Sequence, residues 1–169
     1  MGWRGADEAG PEVYIMTAEP KNYRASLSKS INRRCEAKGV IIYADSAYYS
    51  DGFKFDTEYG QGVGVSVGRP RQFFLDYAAI LEQGEYELWL EYAAEEPRPV
   101  NMVLNGTGAR RLVADATTGG WYRTHQQWLC QTTLAVNSSG MQLLHFWRIG
   151  WFPHISRIAL VLVKTPSSR

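Results

Sequence analysis

Residues 83–94, "QGEYELWLEYAA", carry the pattern that decides the fold. Large apolar side chains stand at every second position, and glutamates fill most of the positions between them. Because successive side chains of a β-strand point to opposite faces, this period of two predicts a strand that is buried on one side only. The even-numbered positions from Tyr86 to Tyr92 form the predicted buried face. Trp89 lies with the glutamates on the predicted half-exposed face.

Similar short runs continue on both sides of this strand. From residue 40 onward the chain alternates between apolar runs and turn segments rich in Gly, Pro, Asn and Ser, which is typical of an antiparallel β-sandwich. The segment "NSSG" at 137–140 predicts a hairpin into the last pair of long strands. A first strand is predicted near Val13 and Ile15. The predicted runs are 40–49, 62–68, 72–81, 84–106, 119–140, 141–152 and 156–164.

The N-terminal part follows a different pattern. Apolar residues recur every four positions between Tyr23 and Cys35, and Gly39 follows at a natural helix stop, so this segment is predicted to be a short helix or a long loop. Its many Lys and Arg residues indicate a solvated face or, less simply, a phosphate-binding patch. We therefore expect one domain over residues 12–163, with flexible tails at 1–11 and 164–169.

Composition excludes several classes of function. The chain has 169 residues and a net charge of +1, which gives no overall field for nucleic acid or an acidic membrane. No apolar run reaches the length of a membrane span or a signal peptide, so the sequence leaves the compartment unknown. The two cysteines, Cys35 and Cys130, form either one disulfide or two buried thiols.

The sequence offers no catalytic motif. The three histidines stand in neither HExxH nor HxH spacing, and no GxSxG segment is present. The glycine-rich stretch 60–68 lacks the strand-to-helix context of a nucleotide-binding turn. Pairs of carboxylates suit glycoside hydrolysis, but acidic residues at strand ends are usually solvated or bind calcium. We therefore predict no catalytic residues.

The aromatic residues are more informative. Aromatics make up 13% of the chain, with 6 Trp and 10 Tyr. Trp128 and Trp147 lie within strand-like runs and are predicted to be core residues. Trp121 and Trp151 flank glycine-rich turns, where a ring is difficult to bury. An exposed ring in a turn can stack on the apolar face of a sugar while neighbouring polar groups bind its hydroxyls.

The order of several short motifs resembles that of carbohydrate-binding modules of families 6 and 35. Their acidic opening strand corresponds to "IYADSA" at 42–47, and their glycine-rich stretch to "YGQGVG" at 59–64. The strand at 83–94 is the best match. It is followed by "LNG" at 104–106, by "TTGGWYRTHQQW" at 117–128 and by "HISRIAL" at 154–160. The resemblance covers about residues 40–163.

This resemblance implies a galactose-binding-like jelly-roll sandwich that binds glycan through loops at one end, without catalysis. Carried over by position, the implied ligand-binding residues are Tyr59, Trp121 and His154, and Trp151 and Tyr49 complete the candidates. The resemblance also implies a glycan partner, a neighbouring catalytic domain and an extracellular location. The alternative is a structural or protein-interaction sandwich whose exposed aromatics pack on another domain.

The same resemblance implies a structural calcium ion. Its ligands in these families are acidic residues of the opening and last strands, and Asp45 is the candidate ligand here. Tyr43 and Ser156 stand where two of the acidic ligands are expected. Neutral oxygens bind calcium less strongly than carboxylates do, so the expected ligand set is incomplete unless Glu19 or Asp76 substitutes from elsewhere in the chain.

Overall fold

The computed structural model describes residues 13–15, 39–106 and 108–167 of the chain. These residues form two β-sheets that pack face to face and are connected by loops and two short 3-10 turns. The all-β sandwich predicted from the sequence is confirmed. The strands are β1 Val13–Ile15, β2 Gly39–Tyr43, β3 Tyr49–Asp51, β4 Phe53–Thr57, β5 Gly60–Ser66, β6 Gln72–Leu81, β7 Gly84–Ala93, β8 Val100–Leu104, β9 Arg111–Val113, β10 Gln127–Val136, β11 Gly140–Ile149 and β12 His154–Lys164.

The two sheets differ in size. The five-stranded sheet has the order β3-β6-β11-β8-β9, with antiparallel neighbours throughout. The seven-stranded sheet has the order β1-β2-β12-β7-β10, and the β4–β5 hairpin joins it where Gly64 pairs with Ile155. Only β1 and β2, among the described strands, pair in parallel. All other pairings match the predicted antiparallel arrangement.

The core lies between the sheets and confirms the buried face predicted for β7. Leu88, Leu90 and Tyr92 are fully buried there, opposite Phe73 and Leu75 of β6. Burial of such side chains is the main favourable term in folding, at about 1.5–3 kcal/mol each. Alternation along β7 therefore places this strand at the centre of the molecule.

The opposite face of β7 is not half-exposed as predicted. Trp89 and Glu91 are only 4% and 7% exposed. Glu91 forms an ion pair with Arg157, and the Arg157 guanidinium lies 5.2 Å from the Trp128 ring centroid. The outer side of the seven-stranded sheet is therefore a second buried layer. Trp128 is buried as predicted, although on this layer and not between the sheets.

Two further sequence predictions are wrong. Trp147 is half-buried on the outside of the five-stranded sheet, because its strand neighbour Phe146 takes the inward position. The segment 137–140 is not a hairpin, because β10 belongs to the seven-stranded sheet and β11 to the five-stranded sheet. It carries the chain from one sheet to the other, which local turn residues alone do not reveal.

Several predictions fall wholly or partly outside the described residues. The N-terminal tail, the helix or loop at 21–37 and Cys35 lie there. Cys130 is exposed on β10, so the prediction of a buried thiol is wrong for this residue. A register shift between Cys130 and Thr132 puts Cys130 on the opposite face of the strand from the buried Leu134 and Val136. Among the described residues no helix is long and apolar enough to cross a membrane.

Candidate functional site

Loops at one end of the sandwich bring several aromatic side chains together. At this end β7 and β11 finish and β10 and β12 begin, so the loops 94–99, 114–126 and 150–153 are neighbours. The β4–β5 turn, which carries Tyr59, reaches the same place. We call this group of loops the loop end.

The β4–β5 turn presents a half-buried tyrosine. The Tyr59 amide donates a hydrogen bond to the Thr57 hydroxyl (3.3 Å), which closes the turn. The Tyr59 ring centroid lies 5.1 Å from that of Tyr122 and 4.3 Å from that of His154. Aromatic pairs at such separations attract each other beyond the effect of burial. Tyr59 therefore joins the turn to two other loops.

The stretch "TTGG" at 117–120 fixes the position of the following aromatics. Thr118 is buried, and it exchanges hydrogen bonds with both backbone groups of Ala94 (2.7 and 2.9 Å). Gly119 has a φ of +96°, which favours glycine. At Gly120 a Cβ atom would stand 2.5 Å from Nδ1 of His125, so the imidazole occupies the space that a side chain would need. The two glycines form a turn that is packed against its own loop.

Trp121 follows this turn and is half-buried against the core. The Arg98 guanidinium lies 3.9 Å from its ring centroid, and the His154 ring lies at 5.0 Å. Trp121 is therefore less exposed than the platform predicted from the sequence, because these two groups cover much of its ring. The adjacent Tyr122 is 54% exposed instead.

His154 contacts the rings of Tyr59 and Trp121 from the buried side of the loop end. It is buried at the start of β12, and its Nδ1 lies 2.8 Å from the backbone oxygen of Trp121. Because a carbonyl oxygen only accepts, Nδ1 carries the proton in this contact. Burial lowers the pKa of His154 below its usual range, although the Trp121 carbonyl acts in the opposite direction. The ring is therefore neutral at pH 7, with Nε2 as an acceptor.

Arg98 connects the remaining loop to this cluster. Its Nη1 donates to the Phe152 carbonyl (3.1 Å), and its Nε and Nη2 donate to the Glu96 carboxylate. Its guanidinium lies 5.7 Å from the ring centroid of Trp151 as well as close to Trp121. The Trp151 indole nitrogen donates to the Gly68 carbonyl (3.2 Å), and 43% of this residue remains exposed. Arg98 thus lies between the two tryptophans.

The structure brings together four of the five predicted ligand-binding residues: Tyr59, Trp121, His154 and Trp151. Tyr49 is separate, since it pairs with Asp76 on β6 of the five-stranded sheet. Sequence reasoning missed Tyr122 and Arg98. The exposed Tyr122 was detectable beside Trp121, whereas Arg98 lies in the irregular segment "EEPRPV", where no periodicity predicts a partner.

The calcium site that the resemblance implies stays a prediction. Asp45 is exposed in a 3-10 turn, and its carboxylate lies near Gly62 of β5. Within the described ranges, no group of three or more His, Cys, Asp or Glu side chains is placed to hold a metal ion. Calcium takes six to eight oxygen ligands, several of them usually carboxylates. A calcium site at Asp45 would therefore need backbone or neutral side-chain oxygens besides carboxylates.

Comparison with solved structures identifies the fold. A glucuronic acid-containing disaccharide is bound in the structure of a family 35 carbohydrate-binding module that matches with a TM-score of 0.58 and 20% identity, over 72% of this chain and 91% of that chain. The C-terminal family 6 module of a marine laminarinase from Zobellia galactanivorans matches with a TM-score of 0.57 and 19% identity, over 73% and 98% of the two chains. The chain has the fold of these carbohydrate-binding modules.

A third match shows the fold as part of a longer chain. The Podospora anserina β-(1,4)-mannanase, which combines a family 26 glycoside hydrolase with a family 35 module, matches with a TM-score of 0.55 and 20% identity. The match covers 78% of this chain and 28% of the mannanase. No protein-family model matches the chain, and no curated protein is similar to it in sequence. The likeness therefore concerns the fold.

Proposed function

We propose that the protein is a non-catalytic module that binds glycan at the loop end. The observation that carries the proposal is the convergence of Tyr59, Trp121, Tyr122 and Trp151 from two loops and a hairpin turn. Rings collected at one end of a sandwich offer flat apolar faces beside backbone and side-chain polar groups. This combination suits a sugar, which has apolar C–H faces and a hydroxyl rim.

The side chains of the loop end divide into contact and support roles. Tyr122 and Trp151 are the exposed rings and supply the stacking surface, with half-buried Tyr59 beside Tyr122. His154 and Arg98 lie beneath or between the rings and hold them in position. A shallow surface of this kind leaves much of the ligand in water. We therefore expect dissociation constants of about 1 µM to 1 mM.

The matched structures support the proposal. One family 35 module is seen in complex with a glucuronic acid-containing disaccharide, and another belongs to a β-(1,4)-mannanase. By analogy we infer that this module belongs to a carbohydrate-active enzyme that acts outside the cell. The sugar recognised depends on loop geometry, which differs between modules of one fold.

The test is affinity electrophoresis in gels that contain a panel of plant, algal and fungal polysaccharides, run with calcium and with a chelator. We expect retardation of the wild type on at least one polysaccharide, and loss of retardation in Tyr122→Ala or Trp151→Ala. Both side chains are exposed, so the fold should survive these changes. Trp147→Ala, on the outside of the five-stranded sheet, is the matched control and should still bind.

Two results would contradict the proposal. One is free migration of the folded wild type on every polysaccharide. The other is loss of retardation in Trp147→Ala with normal retardation in both loop-end variants, because this would place the ligand on the sheet. A chelator effect would show that a metal ion contributes, whereas equal retardation with and without chelator would assign binding to the protein side chains.

The alternative function, protein interaction, has its own support. Several large apolar side chains are exposed on the outside of the five-stranded sheet, and Ile80, Met141 and Leu143 among them lie at the ends of β6 and β11 that are farther from the loop end. Such a surface does not require glycan and can exist beside a glycan site.

A further inference from the structure

The outside of the five-stranded sheet is unusually apolar. Alternation along β6 and β11 turns Ile80, Met141, Leu143 and Ile149 outward, and Leu112 of β9 is exposed on the same side. Ile80 and Met141 are 66% and 68% exposed. We call this surface the open face. Soluble monomers rarely expose a continuous apolar patch of more than a few hundred square ångströms, and larger patches mark interaction sites.

Strand register makes these side chains one surface. Met141 lies opposite Ile80, and Leu143 lies opposite Ala78, so aliphatic groups cover one half of the β6–β11 pair. A row of rings continues the surface toward the other half. His145 stacks on Trp147, with ring centroids 5.0 Å apart, and on Phe74 at 5.7 Å. The open face is thus continuous along both ten-residue strands.

The other sheet shows that this exposure is not general. On the outside of the seven-stranded sheet the corresponding apolar residues Ile41, Trp89, Ala159 and Val161 are all at most 4% exposed. A sheet of a sandwich commonly packs one face on the core and exposes the other to solvent, and the solvent-exposed face is normally polar. The aliphatic part of the open face is instead exposed to water.

Acidic side chains on the open face have partners. The Asp76 carboxylate forms a hydrogen bond with Nδ1 of His145 on the neighbouring strand, and Asp51 accepts two hydrogen bonds from Arg71 (2.6 and 2.9 Å). These contacts leave no strong field of one sign across the sheet. A partner selected by charge is therefore disfavoured, whereas a second copy of a surface with so little net charge meets little repulsion.

The dimensions also suit a second copy. Strands of ten residues are about 33 Å long, and five strands spaced by about 4.8 Å are about 24 Å wide at the centre. Even with the shorter edge strands, the face covers about 500 Å² in projection, and its upright side chains expose more area than that. A standard interface buries about 800 Å² on each partner. The open face therefore reaches the scale of a weak to moderate dimer.

We propose that the open face packs against the open face of a second copy to form a symmetric homodimer. In such a contact each residue of the patch serves both subunits, and the two sheets stack about 10 Å apart. The aliphatic half of the patch lies at the ends of β6 and β11 that are farther from Trp151, since Ile149 and Gln72 pair at the nearer ends. The loop ends of both subunits therefore remain accessible.

Sedimentation velocity on the full chain between about 1 µM and about 1 mM tests this proposal. The wild type should move from the 19.1 kDa monomer toward twice that mass as concentration rises. The double variant Ile80→Lys/Leu143→Lys should raise the dimer dissociation constant at least about tenfold, because four lysines would face one another in the dimer. Val163→Lys, an exposed aliphatic on β12 outside the open face, is the matched control and should dimerise normally.

A wild type that stays monomeric at the highest concentration overturns the proposal. So does a double variant that dimerises as tightly as the wild type. A monomeric wild type whose glycan retention is lost in the double variant would assign the open face to glycan instead. A nuclear magnetic resonance measurement on the wild type needs no substitution, so it does not depend on whether the variant folds. A soluble paramagnetic probe should broaden the methyl signals of Ile80, Met141 and Leu143 less at high protein concentration than at low concentration. Equal broadening contradicts the dimer.

Discussion

Substitution of Gly120 by alanine should strain the loop that carries Trp121. The added Cβ would stand 2.5 Å from Nδ1, 2.6 Å from Cε1 and 2.8 Å from Cγ of the His125 imidazole. Real Cβ atoms essentially never approach so closely, so either the imidazole or the loop must move. Overpacking of this kind costs about 1–3 kcal/mol. We expect Gly120→Ala to lower the free energy of unfolding by about 2 kcal/mol and the melting temperature by about 4–8 °C.

The same geometry predicts a rescue. His125→Ala removes the ring that the new Cβ would meet, so Gly120→Ala should cost less than about 0.5 kcal/mol in that background. The assay is a double-mutant cycle measured by chemical denaturation of the four proteins, with near-UV circular dichroism to follow tryptophan packing. An equal cost of Gly120→Ala in both backgrounds would refute the reasoning, because the strain would then not come from the imidazole.

Two further predictions concern charges. Glu91→Gln breaks the buried ion pair with Arg157 and should lower the free energy of unfolding, measured by chemical denaturation, by about 3–5 kcal/mol. Asp51→Asn, in the exposed pair with Arg71, should lower it by less than about 1 kcal/mol. Equal losses would contradict the burial of the first pair. Burial lowers the pKa of His154 below its unfolded value of 6.5, so protons bind the unfolded state more strongly, and stability should fall between pH 7 and pH 5. His154→Gln should reduce this loss, and an unchanged pH dependence would show that His154 does not contribute to it.

The fold was largely predictable because buried and exposed side chains alternate along the strands of a sandwich. In β7 the even-numbered positions from Tyr86 to Tyr92 predicted the core face correctly. Alternation did not predict what covers the other face, so Trp89 and Glu91 were assigned to a half-exposed surface although both are buried. A single strand reports which side chains share a face. It does not report which other layers pack on that face.

The candidate site was predictable in part. The resemblance indicated Tyr59, Trp121 and His154. The centroid of the His154 ring lies 4.3 Å from that of Tyr59 and 5.0 Å from that of Trp121. Exposure could not be inferred in the same way. Trp121 is covered by Arg98, which comes from a loop that is distant in sequence and has no recognisable pattern. Long-range contacts of this kind depend on the whole fold and are not visible in the local sequence pattern.

The most direct test of glycan binding at the loop end is a nuclear magnetic resonance titration that follows the indole N–H signals of the 6 tryptophans. Once a binding polysaccharide is known, oligosaccharides of it are added to the labelled protein. We expect the signals of Trp121 and Trp151 to shift with ligand and saturate together, while those of the buried Trp89 and Trp128 stay in place. A shift of Trp147 with no change at Trp121 and Trp151 would contradict this expectation, because the ligand would then occupy the open face of the five-stranded sheet.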